Sequence, residues 1–367
     1  MKYPALLPIS EVLPALDSYD TIIDVRSPSE FAEDHIPGAI NCPVLDDAER
    51  AAIGTLYKQV SPFEAKKRGA ALVARNIGAH IEATLLDKPR DWKPLIYCWR
   101  GGNRSGSMAH ILARVGWQAV QLDGGYKEYR RQINQALADL PERFSFIVVC
   151  GTTGSGKSRL LQTLAHQGAQ VLDLEQLAAH RGSVLGHLPS EPQPSQKMFE
   201  SRLWQALRSF DPARPVYVES ESKKVGNVRV PDALMQRMRA SECVSVQLSQ
   251  GNRVALLMED YAHVLADPHA LNARLDCLVV LYGKEKIAGW QQMALRGDMA
   301  ALVQELLADH YDPAYIKSIG RNFSRFGQAS VLEISGVSDA AFADAATRML
   351  LQRPDDASSG APHAAAA

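Results

Sequence analysis

The sequence predicts an α/β protein of two domains, each built on a largely parallel sheet. Three observations predict it. The chain has 367 residues, more than a single core usually organises. An apolar strand, Leu95-Ile96-Tyr97, runs into Cys98, a glycine-rich turn and a helix with apolar Met108, Ile111, Leu112 and Val115. A longer apolar strand, Phe144 to Cys150, runs into Gly151-Thr-Thr-Gly-Ser-Gly-Lys-Ser158 and a helix carrying Leu160, Leu161 and Leu164.

The first domain is expected over residues 1–138. Thr21-Ile-Ile-Asp-Val25 predicts a buried strand, and Arg26-Ser-Pro-Ser-Glu-Phe31 a turn into a short helix capped by Ser27. His35-Ile-Pro-Gly-Ala-Ile-Asn41 is punctuated by proline and glycine as a loop is. Residues 46–90 are alanine-rich and helix-like, and the Tyr97 strand, the Ser105 helix and an Ala119–Leu122 strand complete an alternating pattern. Asp123-Gly-Gly-Tyr126 is a turn before a polar helix, and Pro141 marks the boundary. The second domain is expected over residues 139–352, with strands at 170–173, 216–219, 243–248 and 330–334, a helix near 199–210, and a largely helical stretch over 252–310. Residues 353–367 are low in complexity and expected to be disordered.

A net charge of -1 argues against a wholly basic nucleic-acid coat and leaves room for local basic patches. The five cysteines are scattered, with no C-x-x-C pair. That spacing fits a reducing compartment and excludes a zinc ribbon. The first residues have no long apolar core, and no run reaches membrane-spanning length. A cytoplasmic enzyme is the expectation.

Tyr97-Cys-Trp-Arg-Gly-Gly-Asn-Arg-Ser105 carries the first chemistry. A turn of this kind aims several backbone N–H groups at one spot, faced also by a helix N-terminus and by Arg104. Such a concavity holds an anion and stabilises a thiolate. Cys98 is expected to be exposed at the sheet's C-terminal edge, as a nucleophile carrying a transferred group. Cys150 and Cys243 sit at strand ends and are expected to be structural. Asp24-Val-Arg-Ser-Pro-Ser-Glu-Phe31, His35-Ile-Pro-Gly-Ala-Ile-Asn41, the Cys98 loop and Leu122-Asp-Gly-Gly-Tyr126 occur in an order that resembles the rhodanese family of sulfurtransferases. The resemblance implies a cysteine that accepts sulfur as a persulfide, with Asp24 and Arg26 as a structural ion pair and His35 structural. Two departures stand out. Five residues separate Cys98 from Arg104, one more than in common sulfur carriers; the wider loop suits a phosphate-type anion and matches rhodanese-like phosphatases. The segment from Asn41 to Tyr97 is long for one module and carries Lys58, Lys66, Lys67 and Arg68, either as a lid or RNA contact or as a solvated helical face.

Gly151–Ser158 matches G-x-x-x-x-G-K-[ST] in full, after a strand and before a helix. Glycines let backbone N–H groups approach phosphate oxygens, Lys157 adds a point charge, and Ser158 can bind a metal or a phosphate oxygen. Asp173, Glu219 and Glu221 follow predicted strands and are candidate acids facing the second shell or a metal; the alternative for each is a turn acid. No Asn-Lys-x-Asp base-reading motif is present, so the cradle admits a phosphate ligand that is not a nucleotide.

The two motifs in one chain are similar to the tRNA 2-selenouridine synthase family. So are Asp173-Leu-Glu-Gln-Leu-Ala-Ala-His-Arg-Gly-Ser183, Gln193-Pro-Ser-Gln196 with Phe199-Glu200, Val218-Glu-Ser-Glu-Ser222 and His310-Tyr-Asp-Pro313. The resemblance implies a rhodanese-like N-terminal domain and a P-loop NTPase-like C-terminal domain. It further implies a transferase that acts on the wobble 2-thiouridine of tRNA, first S-geranylating it with geranyl diphosphate and then replacing the S-geranyl group with selenium from selenophosphate. Under it Cys98 is catalytic and takes selenium as a perselenide. Arg100, Gly101, Gly102, Asn103, Arg104 and Ser105 form the selenophosphate loop. Gly151, Gly154, Ser155, Gly156, Lys157 and Ser158 hold the diphosphate. No tightly bound cofactor and no protein-held metal is called for, while magnesium at the diphosphate stays open. The implied partner is the 2-thiouridine-containing anticodon loop of tRNA, with the small-molecule substrates, a monomeric protein and no membrane. Lys223, Lys224, Arg229, Arg321 and Arg325 are basic candidates for tRNA contact, against ordinary surface charge.

Three other readings compete. An ATP-dependent tRNA sulfurtransferase predicts ATP turnover stimulated by tRNA. A rhodanese-like phosphatase with a P-loop module predicts a Cys98 phosphoenzyme. A non-catalytic P-loop binding module on a degenerate scaffold is opposed by the intact Cys98 loop.

Overall fold

The computed structural model describes residues 3–181 and 192–351; the side chain of His263 is also left aside. Gly182 and Ser183 of the family-like segment, and the expected tail, lie outside the described residues. The chain divides into two compact units. The first holds residues up to Leu140 together with Gln193–Arg208 and Asn227–Pro231, and the second holds the rest.

In the first unit, β1 (Ala5–Leu7), β2 (Thr21–Asp24), β3 (Ala39–Asn41), β4 (Pro94–Tyr97) and β5 (Val120–Leu122) form one parallel sheet in the order β1-β5-β4-β2-β3. Ile23 pairs with Ile96 and Asp24 with Tyr97. Every residue of β4 is buried, as a central parallel strand covered on both faces must be. The chain leaves β2 towards β3 on one side and β4 towards β5 on the other. The crevice where the order reverses lies at the C-terminal end of β4, where Cys98 follows. Residues 46–90 form two helices, Asp47–Gln59 and Pro62–His80, on which Lys58, Lys66, Lys67 and Arg68 are exposed.

In the second unit, β8 (Val216–Glu219) lies between β6 (Phe146–Cys150) and β7 (Gln170–Leu172), and β6 also pairs with a strand from much later in the chain. Two two-residue strands come between in sequence, β9 (Lys224–Val225) in the second unit and β10 (Val228–Arg229) in the first. Then follow β11 (Glu242–Gln247) and β12 (Ser330–Glu333), and the parallel order is β12-β11-β6-β8-β7. The helix Lys157–His166 turns Leu160, Leu161 and Leu164 onto this sheet, each fully buried. Each such leucine contributes roughly 1.5–3 kcal/mol of apolar burial. Between β11 and β12 the chain is helical, as expected, with its own core around Leu271, Trp290 and Leu302. No helix among the described residues is long and apolar enough to cross a membrane.

Candidate functional site

Cys98 follows β4, and the helix Asn103–Val115 begins five residues later. The expectation of an exposed thiol is corrected: Cys98 is 3% exposed. Its side chain belongs to the buried core with Val25, Cys42, Met108 and Ala109, and the turn at Gly124-Gly125 closes over the loop backbone. Tyr126 N–H donates to the Cys98 carbonyl (2.8 Å) and Lys127 N–H to that of Trp99 (3.0 Å). Gly101 has φ +64°, and a Cβ there would stand 2.5 Å from the Leu122 carbonyl oxygen. Gly125 has φ +55°, and a Cβ there would overlap the Cys98 carbonyl oxygen. Only glycine permits this approach.

Ser105, fully buried, donates its hydroxyl to Cys98 Sγ at 3.2 Å. Gln121 on β5 donates to the Gly101 carbonyl (2.6 Å) and to Ser105 Oγ (3.2 Å), pinning the loop from below. Arg104 Nη1 donates to Glu30 at 2.9 Å, and Arg50 reaches the same carboxylate at 3.0 Å. Burial opposes the Glu30 charge, but Arg104, the Ser27 N–H and Arg50 outweigh it and hold the carboxyl below its ordinary value. Arg100, Gly102 and Asn103 are exposed at the mouth of the loop. Asp24 and Arg26 form a fully buried ion pair (2.6 Å), with the guanidinium 3.9 Å from the Tyr126 ring centroid. His35 stacks on Phe31 and its Nδ1 lies 2.9 Å from the Phe31 carbonyl oxygen, a structural role.

The second loop joins β6 to the helix Lys157–His166. Gly154 has φ +75°, and a Cβ would press on Leu257 at 2.8 Å. Lys157 Nζ donates to the carbonyls of Gly151 (2.6 Å) and Thr152 (3.3 Å). Burial lowers its pKa, while Glu175, Glu221 and Glu219 pull the other way. Ser158 donates to Glu175 at 2.9 Å. Asp173 caps the helix Leu174–Leu177 through Gln176 N–H (2.8 Å), the turn-acid role. Glu219, at the end of β8, is buried and accepts the Glu175 N–H at 2.8 Å. Burial, then Asp173, Glu175 and Glu221, push its carboxyl well above the usual range. Burial also pushes Asp173 and Glu221 up, and takes Glu175 to about 7. Lys157, Ser158, Asp173, Glu175 and Glu221 line one cleft of about 640 Å³. Among the described residues no three His, Cys, Asp or Glu side chains are grouped closely enough to hold a metal ion.

A rhodanese-like domain profile matches residues 9–132, and a profile described as the tRNA 2-selenouridine synthase AAA domain matches residues 144–277. Proteins named tRNA 2-selenouridine synthase are similar along the chain. One from a Sulfurovum species is 32% identical over 343 residues, covering 85% of this chain and 93% of that protein. The chain belongs to the tRNA 2-selenouridine synthase family. The synthase from Nitrosomonas europaea is 38% identical over 257 residues, 68% of this chain and 66% of that protein, so that match spans just under two thirds of the relative. The synthase from Nitrosomonas eutropha is 36% identical, over 71% and 67% of the two chains.

For a tRNA 2-selenouridine synthase family member, sequence reasoning missed the supports of both loops. Arg253 is bidentate to Asp312 (2.9 and 2.6 Å) and donates twice to the Thr153 carbonyl (3.0 and 2.7 Å). Tyr315 accepts the Gly151 N–H at 2.6 Å and lies 3.1 Å from Ser220 Oγ. The His310-Tyr-Asp-Pro313 segment signalled this region without saying that Asp312 holds Arg253. Glu30 and Gln121 gave no signal beyond their nearness to matched motifs. Of the basic candidates, Lys223 pairs with Asp232 (2.5 Å) and Arg325 with Glu242 (3.4 Å).

Proposed function

We propose that this chain converts 2-thiouridine to 2-selenouridine at the wobble position of tRNA, using geranyl diphosphate and then selenophosphate. The observation that carries the reading is two anion receptors of different kind in one family member: a lysine-bearing phosphate loop, and a cysteine loop wide enough for a phosphate-type group.

In the first step the thiocarbonyl sulfur attacks C1 of geranyl diphosphate. The S–C1 bond forms, the C1–O bond breaks, diphosphate leaves with the electron pair, and the N3 proton is released. Lys157 and the N–H groups of Gly154, Ser155, Gly156 and Ser158 stabilise the charge that grows on the leaving group. In the second step selenium must arrive at the selenide level. Attack of Cys98 on selenium to give a perselenide would leave phosphorus reduced, whereas attack on phosphorus releases selenide. The Cys98 thiolate attacks phosphorus of selenophosphate, the S–P bond forms, and selenide departs. Selenide adds at C2 of the base, the C2–S bond breaks and geranylthiol leaves. Water then cleaves the S–P bond, returning the thiol and inorganic phosphate. Ser105, donating to Cys98 Sγ, supports thiolate departure from phosphorus.

The test is mass spectrometry of thiolated tRNA with geranyl diphosphate, with and without selenophosphate. The S-geranyl product is expected from the first mixture and 2-selenouridine from the second. Cys98→Ala should keep geranylation and lose selenation. Lys157→Ala should slow geranylation by about 10²-fold or more. Unmodified tRNA from both mixtures, or loss of both steps in Cys98→Ala, sinks the reading.

A further inference from the structure

Beside the phosphate cleft lies a slot that the chemistry above does not use. Its walls include Leu257, Val264, Val303, Leu307, Tyr261 and Tyr311, and no charged side chain lines it. Thr153, from the phosphate loop itself, also lines it. Slot and cleft share Thr153, Leu257, Tyr261 and Tyr311, so one ligand can reach into both. Leu257, Val303 and Leu307 form an apolar cluster there, and Leu257 is the side chain pressed against Gly154. At about 50 Å³, against about 640 Å³ for the cleft, the slot is too small for a purine, and a geranyl chain would fill it with one end and run on into the cleft through the lining they share. A ribose or base would also bring N–H and O–H groups that these walls leave unpaired, at a cost of roughly 1–3 kcal/mol each.

The geometry points to this slot as the seat of the hydrocarbon tail of a prenyl diphosphate whose diphosphate rests on the Lys157 loop. The assignment rests on the diphosphate reading above. The ligand class is an amphiphile, and the discrimination against nucleotides is made by the aliphatic side chains of the helices between β11 and β12.

Calorimetric binding to the full chain tests it with inorganic diphosphate, dimethylallyl diphosphate, geranyl diphosphate and ATP. Each buried methylene is worth about a fourfold gain, so affinity should rise along the first three by about 100-fold or more. Val264→Phe, at a half-buried position, and Val303→Phe, deeper in, should each weaken geranyl diphosphate by about tenfold and leave inorganic diphosphate unchanged. Should Val303→Phe fail to fold, Val264→Phe carries the test, with inorganic diphosphate binding as the sign of an intact loop. Equal affinity for the three diphosphates, equal weakening of all probes, or ATP weakened as much as geranyl diphosphate overturns the assignment. If inorganic diphosphate binds and Lys157→Ala abolishes that binding while the tail adds nothing, only the slot is wrong. If it does not bind, or Lys157→Ala leaves it unaltered, the diphosphate reading falls and takes the slot with it.

Discussion

Glu175 is where proton concentration meets the phosphate cleft. Burial, then repulsion from Glu221, pushes its carboxyl up to about 7, against the pull of Lys157 and Ser158. An unfolded glutamate ionises near 4.5, so between these values the folded chain holds a proton that the unfolded chain has lost. Its contribution to stability is therefore full below about 4.5 and is lost as pH rises through about 7. On the proposed reading, protonation also removes a negative charge from the cleft that would receive the diphosphate. Glu175→Gln should flatten the fall in melting temperature between about pH 5 and pH 8, and should make diphosphate affinity less dependent on pH near 7. Asp173, Glu219 and Glu221 are pushed the same way, so part of the slope survives. Thermal scans and binding titrations across that range check it; an unaltered slope in the variant would count against Glu175.

At the scale of elements, the Cys98 loop is locked to the start of the helix Gly125–Asp139. The lock depends on Gly125, whose φ is +55° and whose missing side chain admits the Cys98 carbonyl. Gly125→Ala should destabilise the first unit by about 1–3 kcal/mol and impair selenation while sparing geranylation. Denaturant unfolding measures the first effect; wild-type stability and selenation together would refute the lock. Both loops were legible in sequence because strand, glycine turn and helix start are adjacent residues obeying local rules. Their supports were not. Arg253 reaches Thr153 from 100 residues away, and Tyr315 reaches Gly151 from 164. Tertiary packing alone brings them in, and neither carries a spacing that announces it. The exposure expected for Cys98 failed for the same reason: a strand end predicts an edge, but the core that buries the thiol, with Val25 and Cys42, is assembled from distant segments.

On the scale of the whole chain, the path matters as much as the units. After entering the second unit it returns, and the helix Gln196–Ser209 packs with the first. Trp204 meets the Tyr129 ring edge-on at 5.9 Å, Glu200 pairs with Arg130, and Arg208 pairs with Asp17 at 2.9 Å. An amphipathic helix has the same pattern whichever unit it covers, so composition along the chain could not reveal the return. A fragment ending at Leu140 should therefore be less stable than the same unit in the full chain by at least about 2 kcal/mol, the burial of one large aromatic side chain. Chemical denaturation followed by hydrogen exchange in β4 measures it, and equal protection would show that the returning helix is dispensable. The sunken sulfur of Cys98 has a consequence in a crowded cell. Nucleophiles at open edges are consumed by oxidised glutathione and other bulky electrophiles, whereas only 3% of Cys98 meets solvent.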